Sequence, residues 1–436
     1  MLWLWLLLLL LLLLLLCACF GAASPWPSRP GAAALGAVHL LPPTLTPSQG
    51  VHVIRFPSRG TLKVKEALHT IHKWIILPSY LSHEQRKKVF SAKYRDQLHH
   101  DPISIEVNGQ VKKFRYMNAI TQMPNTRLLI NEVINNLKVD KDYNAIPDML
   151  EGVHHQAGRR IDPAIYCKLV RKFAVADRLQ TIIDSVRAVR KTGFKLNRSE
   201  TVNELMVGIQ KKAIDSGYAR HETLQAHMRV RAVLEMLEED NELHKPEEPN
   251  WRPFWQDPMV LAARLHLGAV AATKHGQLMK SVPIYARDLL GVWPENKGVL
   301  GLHDMSKYAS VDQARYLLDR NSFLWFAAPI LKGLRMAADF LVDQPFLREA
   351  LLNRAQKVQE EIDLAWNSRQ RKPGGRGEAL YRALFNPAEP QHPPEQEQDQ
   401  WPAEEKGNGQ PTPRKVRGLP PWKRDWWKRK KKKQKK

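Results

Sequence analysis

Cysteine is nearly missing from this chain. Cys17 and Cys19 lie in an N-terminal apolar run, and only Cys167 remains in the body. One thiol builds neither a disulfide framework nor a cysteine-based zinc site, so an oxidised, secreted scaffold is excluded. Catalytic signatures are missing too. There is no phosphate-loop glycine pattern and no Gly-x-Ser-x-Gly elbow. His69/His72, His99/His100 and His154/His155 form pairs without a recognisable ligand constellation, and His83-Glu84 lacks the second histidine of a zinc-protease helix. The carboxylates are scattered. The sequence therefore nominates no catalytic residue, no metal and no cofactor, and the chain is not expected to be an enzyme.

Acid is scarce. The 436 residues carry 67 Lys and Arg against 44 Asp and Glu, a net charge of +23. Residues 411–436 hold thirteen basic residues and one acid (Asp425), which gives +12 and leaves +11 for the rest. The body is thus basic in its own right, which favours a polyanionic partner: nucleic acid, ribosomal RNA or an anionic membrane face. No acid precedes Glu66.

Residues 1–23 are an uncharged, leucine-dominated run long enough to cross a bilayer. It reads as a secretory signal ending at Gly21-Ala22-Ala23, although basic residues before it are lacking. It reads equally as an anchor that keeps the body on the cytosolic or matrix side, because Arg29, Arg55, Arg59, Lys63 and Lys65 follow it. An acid-free organellar import sequence and an initiator placed upstream of the true start are two further readings. Residues 24–50, rich in Pro, Ala and Gly, read as a linker.

What is present is helical periodicity. Region 51–123 begins with Leu68, Ile71, Ile75 and Ile76 near helical spacing, and Ser82 with Gln85 forms a capping box. Short alternation around Asn108-Gly109 predicts a small β-hairpin near 103–116. Region 124–237 repeats. Pro163–Asn197 places Ile165, Tyr166, Leu169, Val170 and Phe173 on one helix face, turns at Ala176-Asp177, and continues with Leu179, Ile182, Ile183, Val186 and Val189. Gly193 is expected to stop the second helix in a left-handed conformation. A weaker copy, Leu128–Asp162, carries Met149, Leu150 and Val153, with Gly158 matching Gly193 and Asp162 matching Asn197 after 35 positions. A third unit pairs Val202, Leu205, Met206 and Ile209 with Met228, Ala232 and Met236, interrupted by about fifteen extra residues.

These units resemble pentatricopeptide repeats: an early aromatic, a small-residue turn, an apolar second helix, a closing glycine and a final Asp or Asn. Tetratricopeptide repeats have a similar length and bind peptides, but their small-residue positions are lost here. The resemblance implies an organellar, mitochondrial RNA-binding factor acting on transcripts or on the mitochondrial ribosome. It also implies that one base is read per repeat by a polar residue of the first helix and by the last residue. In the better repeat those positions are Cys167 and Asn197. In the weaker copy they are Glu132 and Asp162, an acidic pair unsuited to reading bases. Arg171, Lys172, Arg187, Arg190 and Lys191 are the cations expected to hold phosphates.

An acidic stretch, 238–248, separates the repeats from a second helical block, 251–370, with apolar faces over 259–272, 282–292, 311–318, 325–340 and 347–366. Residues 373–436 are expected to be a disordered basic tail, except for a short helix near 379–384. There Trp422, Trp426 and Trp427 alternate with Lys423, Arg424, Lys428 and Arg429, a pattern for stacking on unpaired bases while neutralising phosphates. It also suits an anionic membrane or nuclear import. The fold expected is all-α: helix-turn-helix repeats in a short solenoid, a second helical block, a small hairpin and a tail. The alternative function is a membrane-tethered scaffold that binds protein partners, anchored through residues 1–23.

Overall fold

Thirty-seven residues separate the starts of two helices, Thr126 and Pro163, whereas 35 separate their closing glycines, Gly158 and Gly193. The two repeat-like units are thus offset by two residues at their N-termini. In the computed structural model, which describes residues 53–57, 60–107, 109–247, 251–310, 313–367 and 374–385, both glycines are left-handed, with φ of 64° and 68°. A Cβ at Gly193 would also lie 2.5 Å from the His154 ring, so two constraints meet there. Residues 1–23, the 24–50 linker and the tail beyond 385 lie outside the described residues.

The N-terminal elements are α1 (Leu62–Ile71), α2 (His83–Phe90), α3 (Arg95–His100), β1 (Ile103–Val107) and β2 (Gln110–Phe114). The Ser82/Gln85 capping box forms as expected. The hairpin is antiparallel, pairing Ile103 with Phe114 and Val107 with Gln110, and Gly109 turns it at φ 73°. After α1 the chain widens into a π-turn at His72–Ile76 and then tightens into a 3-10 turn at Leu77–Tyr80, where Pro78 lacks the donor for a continuing ladder.

The helix pairs follow: α4 (Thr126–Asn135), α5 (Asp140–Asn144), α6 (Ile146–Glu151), α7 (Pro163–Val175), α8 (Leu179–Arg187), α9 (Val189–Thr192), α10 (Ser199–Asp215), α11 (Arg220–Glu239) and α12 (Asn241–His244). First helices stack in a row, α4 on α7 and α7 on α10, as in a short solenoid. Asp162 caps α7 by accepting from the Ala164 amide at 2.9 Å, with Pro163 at the first helical position. Phe173 and Val186 are both fully buried, and Phe173 meets Tyr143 edge-on at 5.0 Å.

Two expectations are corrected here. The second helix of 163–197 breaks at Ala188 and resumes as α9. Thr192 donates to the carbonyls of Ser185 and Ala188 and accepts from the Phe194 amide, which ends the helix with a side chain. The third unit has no interrupting insert. Its extra residues lengthen α10 to 17 residues and α11 to 20, joined at Gly217 and Tyr218, both at positive φ. Met228 is 69% exposed, whereas Met236 is buried as expected, and the buried stripe of α11 also takes in Ala226, Val230, Val233 and Leu237.

The last elements are α13 (Pro258–His275), α14 (Val282–Val292), α15 (Arg320–Phe340), α16 (Pro345–Trp366) and α17 (Arg376–Phe385). Where 311–318 was expected to be helical, the described part is a 3-10 turn at Arg315–Leu318. It ends at Asp319, whose carboxylate caps α15 by accepting from the Ser322 amide at 2.8 Å. The helix expected at 379–384 inside the tail is longer and belongs to the folded body. Leu380 and Leu384 are buried, and a Cβ at Gly377 would strike the Asn321 carbonyl and the Trp325 amide of α15.

One apolar core runs from Ile54 to Leu384, so 238–248 is not a break in packing. The reason is α10. Residues 201–210 of that helix are all buried, because α7, α11, α13 and α15 surround it. Several of its buried polar side chains are matched. The Asn203 amide donates to Ser199 Oγ at 3.2 Å and to the Tyr316 hydroxyl at 3.0 Å. Gln210 donates to the Met206 carbonyl while its carbonyl accepts from His266 Nδ1 at 2.7 Å, leaving His266 Nε2 to accept from the Tyr218 hydroxyl at 3.0 Å.

Candidate RNA-binding surface

Cys167, the expected base reader, is buried at 5% exposure on α7. Burial pushes its thiol pKa well above the usual thiol range, and the nearby Glu200 carboxylate adds to this. A buried neutral thiol has no edge to offer a base. Asn197 is at the surface, but its amide donates to Glu247 Oε1 at 2.9 Å, and its carbonyl accepts from the Glu247 amide. The two positions therefore do not face one open groove, which corrects the base-reading geometry. Glu132 is exposed on α4. Asp162 is occupied as a helix cap and by Arg127 at 3.2 Å.

The expected phosphate cations divide into two groups. Arg171 is committed to protein, pairing with Glu200 at 2.5 Å and with Glu204 at 3.4 Å. Arg187 is exposed but pairs with Asp184 at 3.2 Å. Lys172 is half-buried, whereas Arg190 and Lys191 stand exposed on α9, followed by exposed Lys195. Among the described residues these last three make no ion pair, so they remain available to an external anion. Trp422, Trp426, Trp427, Lys428 and Arg429 lie outside the described residues.

A second set of cations was not singled out by sequence reading. Leu81, Val89, Leu98 and Phe114 form a small core of their own, separate from the main one, under α2, α3 and the hairpin. From Leu81 to Met117 this lobe carries eight Lys and Arg against four acids. Lys87, Lys88, Lys93, Arg95, Lys113 and Arg115 are all exposed, and among the described residues none pairs with a carboxylate. The signal was available as a local charge excess but was diluted by the larger excess in the tail. Elements between the lobe and α9 adjoin in turn: the π-turn His72–Ile76 packs on Gly152–Gln156, which packs on α9. Tyr80 fastens the joint by donating to Gln156 Oε1 at 2.5 Å and accepting from the Ile54 amide at 3.2 Å.

No group of three or more His, Cys, Asp or Glu able to hold a metal occurs among the described residues. No helix among them is long and apolar enough to cross a membrane. The histidine pairs are split between packing and surface: the His72 ring meets Phe56 edge-on at 5.9 Å, whereas His69, His99, His100 and His155 are exposed. Burial lowers the pKa of His72 and of His154.

The helices that carry these cations fall within a recognised stretch. Residues 44–383 match the family model of mitochondrial ribosomal protein mS27. The chain is also 36% identical over 335 residues to the small ribosomal subunit protein mS27 of Neurospora crassa, a match that covers 72% of this chain and 84% of that protein. Both matches are to ribosomal proteins. The chain belongs to the mitochondrial ribosomal protein mS27 family.

Proposed function

We propose that the chain is a non-catalytic component of the mitochondrial small ribosomal subunit, whose stacked helix pairs hold cations against the phosphate backbone of RNA. The observation that carries this reading is the exposed, unpaired row Arg190, Lys191 and Lys195 at the edge of the 163–197 helix pair. Its support is the family match, which spans nearly the whole described body. Phosphate contact fixes position without reading sequence, which suits a part of an assembled particle better than a factor that selects transcripts. The pentatricopeptide-like pairing then supplies a stiff support rather than a base code, because Cys167 is sealed in the core. The tail, residues 411–436, adds twelve positive charges beyond the matched stretch.

Sedimentation of a mitochondrial lysate tests this. The full chain is expected to co-sediment with the small ribosomal subunit and to move to light fractions after RNase digestion. A chain that stays in light fractions of the undigested lysate contradicts the proposal.

A further inference from the structure

We propose that the lobe formed by α2, α3 and the β-hairpin is an RNA phosphate-binding module in its own right, which deepens the function proposed above and rests on it. In the helix pairs, several cations are spent on carboxylates. Arg127 pairs with Asp162, Arg178 with Asp140, and Lys212 with both Asp177 and Glu222. In the lobe the opposite holds: the six cations Lys87, Lys88, Lys93, Arg95, Lys113 and Arg115 are exposed, and none of them has a carboxylate partner among the described residues.

Local structure brings several of these together. The Met117 amide donates to the Val89 carbonyl at 2.9 Å, joining the strand exit to the end of α2. Arg115 is thereby brought close to Lys87 and Lys88, at a helix C-terminus whose own dipole also favours cations. Strand alternation puts Lys113 on the outer face of the hairpin, opposite Ser104, while Phe114 turns into the lobe core.

The surface chemistry favours a phosphate backbone over a protein. A protein interface needs apolar or aromatic anchors at its centre. The lobe exposes one large apolar residue, Val111, while Phe90, Tyr94 and Tyr116 are half-buried. With no exposed Phe, Tyr or Trp, it also lacks the large aromatic platform used for stacking unpaired bases. What remains is charge, which recognises the backbone of a folded RNA irrespective of sequence.

The test uses the full chain and a fluorescein-labelled RNA duplex of about 20 base pairs, titrated from about 50 to 200 mM salt. Three proteins are compared: wild type, a lobe variant (Lys87→Gln, Lys88→Gln, Lys113→Gln and Arg115→Gln together), and an α9 variant (Arg190→Gln with Lys191→Gln). Wild-type affinity should fall steeply with salt. The lobe variant should keep its circular dichroism and lose about 3–4 from the slope of log affinity against log salt, with roughly 30-fold or more lost in affinity at about 0.1 M. Duplexes of scrambled sequence should behave alike. An unchanged slope in a lobe variant, with wild type and the α9 variant differing, overturns the module and leaves the parent proposal standing. Wild type that binds no duplex at the lowest salt overturns both. Unchanged RNA binding combined with lost retention on RNase-treated subunits would mean that the lobe docks protein, and the proposal falls.

Discussion

Glu204→Ala is expected to destabilise the full chain by about 3–5 kcal/mol, the range for removing one partner of a buried ion pair. Glu204 sits on α10 at 1% exposure. Arg376, at the start of α17, donates to both its carboxylate oxygens, at 2.5 and 3.0 Å, and Arg171 of α7 approaches at 3.4 Å. The Arg376 guanidinium also lies 4.7 Å above the Trp325 ring of α15. One carboxylate therefore ties the repeat-like helices to the last helix of the body. Removing it leaves the Arg376 guanidinium without its carboxylate partner and leaves Arg171 to Glu200 alone. Glu204→Gln keeps the shape and one acceptor and should cost less, about 1–3 kcal/mol. Arg187→Ala, at an exposed pair, should cost under about 1 kcal/mol. Urea unfolding of the three variants decides the matter, and a Glu204→Ala loss below about 1 kcal/mol contradicts this account of the joint.

Acid should destabilise the helices packed around α10. Burial lowers the pKa of His266 to about 3 and that of His227 to about 4, the latter with Arg231 and Arg264 adding repulsion. Both are neutral in the folded chain, whereas in the unfolded chain they titrate at the ordinary histidine value of 6.5. Stability is therefore full above pH 6.5 and falls as the unfolded state gains protons. By about pH 4 each histidine contributes a loss of about 3 kcal/mol. Asp257 acts in the opposite sense. Burial raises its carboxyl to about 6 against an ordinary value of 3.8, so the folded state takes up its proton first and gains about 2 kcal/mol over the same interval. The expected net loss is about 4 kcal/mol between pH 7 and 4. Asp257→Asn, which keeps the cap on α13, should steepen it. Chemical unfolding at the two pH values measures this, and equal stability at both would contradict it.

These joints were the part of the fold least legible in the sequence. Helix periodicity placed Phe173 and Val186 correctly because their helices bury one face, and the hairpin followed from Asn108-Gly109 chemistry. On α10, the same rule made Val202, Leu205, Met206 and Ile209 the buried stripe and gave no part to Glu204 or Asn203. That helix is enclosed on all sides, and its polar residues are buried because distant partners, Arg376 and Tyr316, satisfy them. Periodicity carries no information about partners 172 or 113 residues away. For the same reason the acidic stretch 238–248 looked like a boundary. His244, inside it, is buried and accepts from the Leu196 amide at 3.1 Å.

The proposed binding surface was half legible. Arg190 and Lys191 stand exposed where the repeat register put them, whereas Arg171 and Cys167 face inward on α7. Their spacing in the sequence looks the same either way, because an interior position and a groove position share one helix face until the neighbouring helix is in place. The lobe cations were hidden by their spread over α2, α3 and β2, which only the fold brings to one small core.

Ultraviolet crosslinking of intact mitochondrial small ribosomal subunits, followed by peptide mass spectrometry, tests the central claim most directly. The account predicts RNA adducts on peptides of this chain containing Lys87 to Arg95, Lys113 to Arg115, and Arg190 to Lys195. Adducts confined to residues 411–436, or no adduct on this chain within the particle, would contradict it.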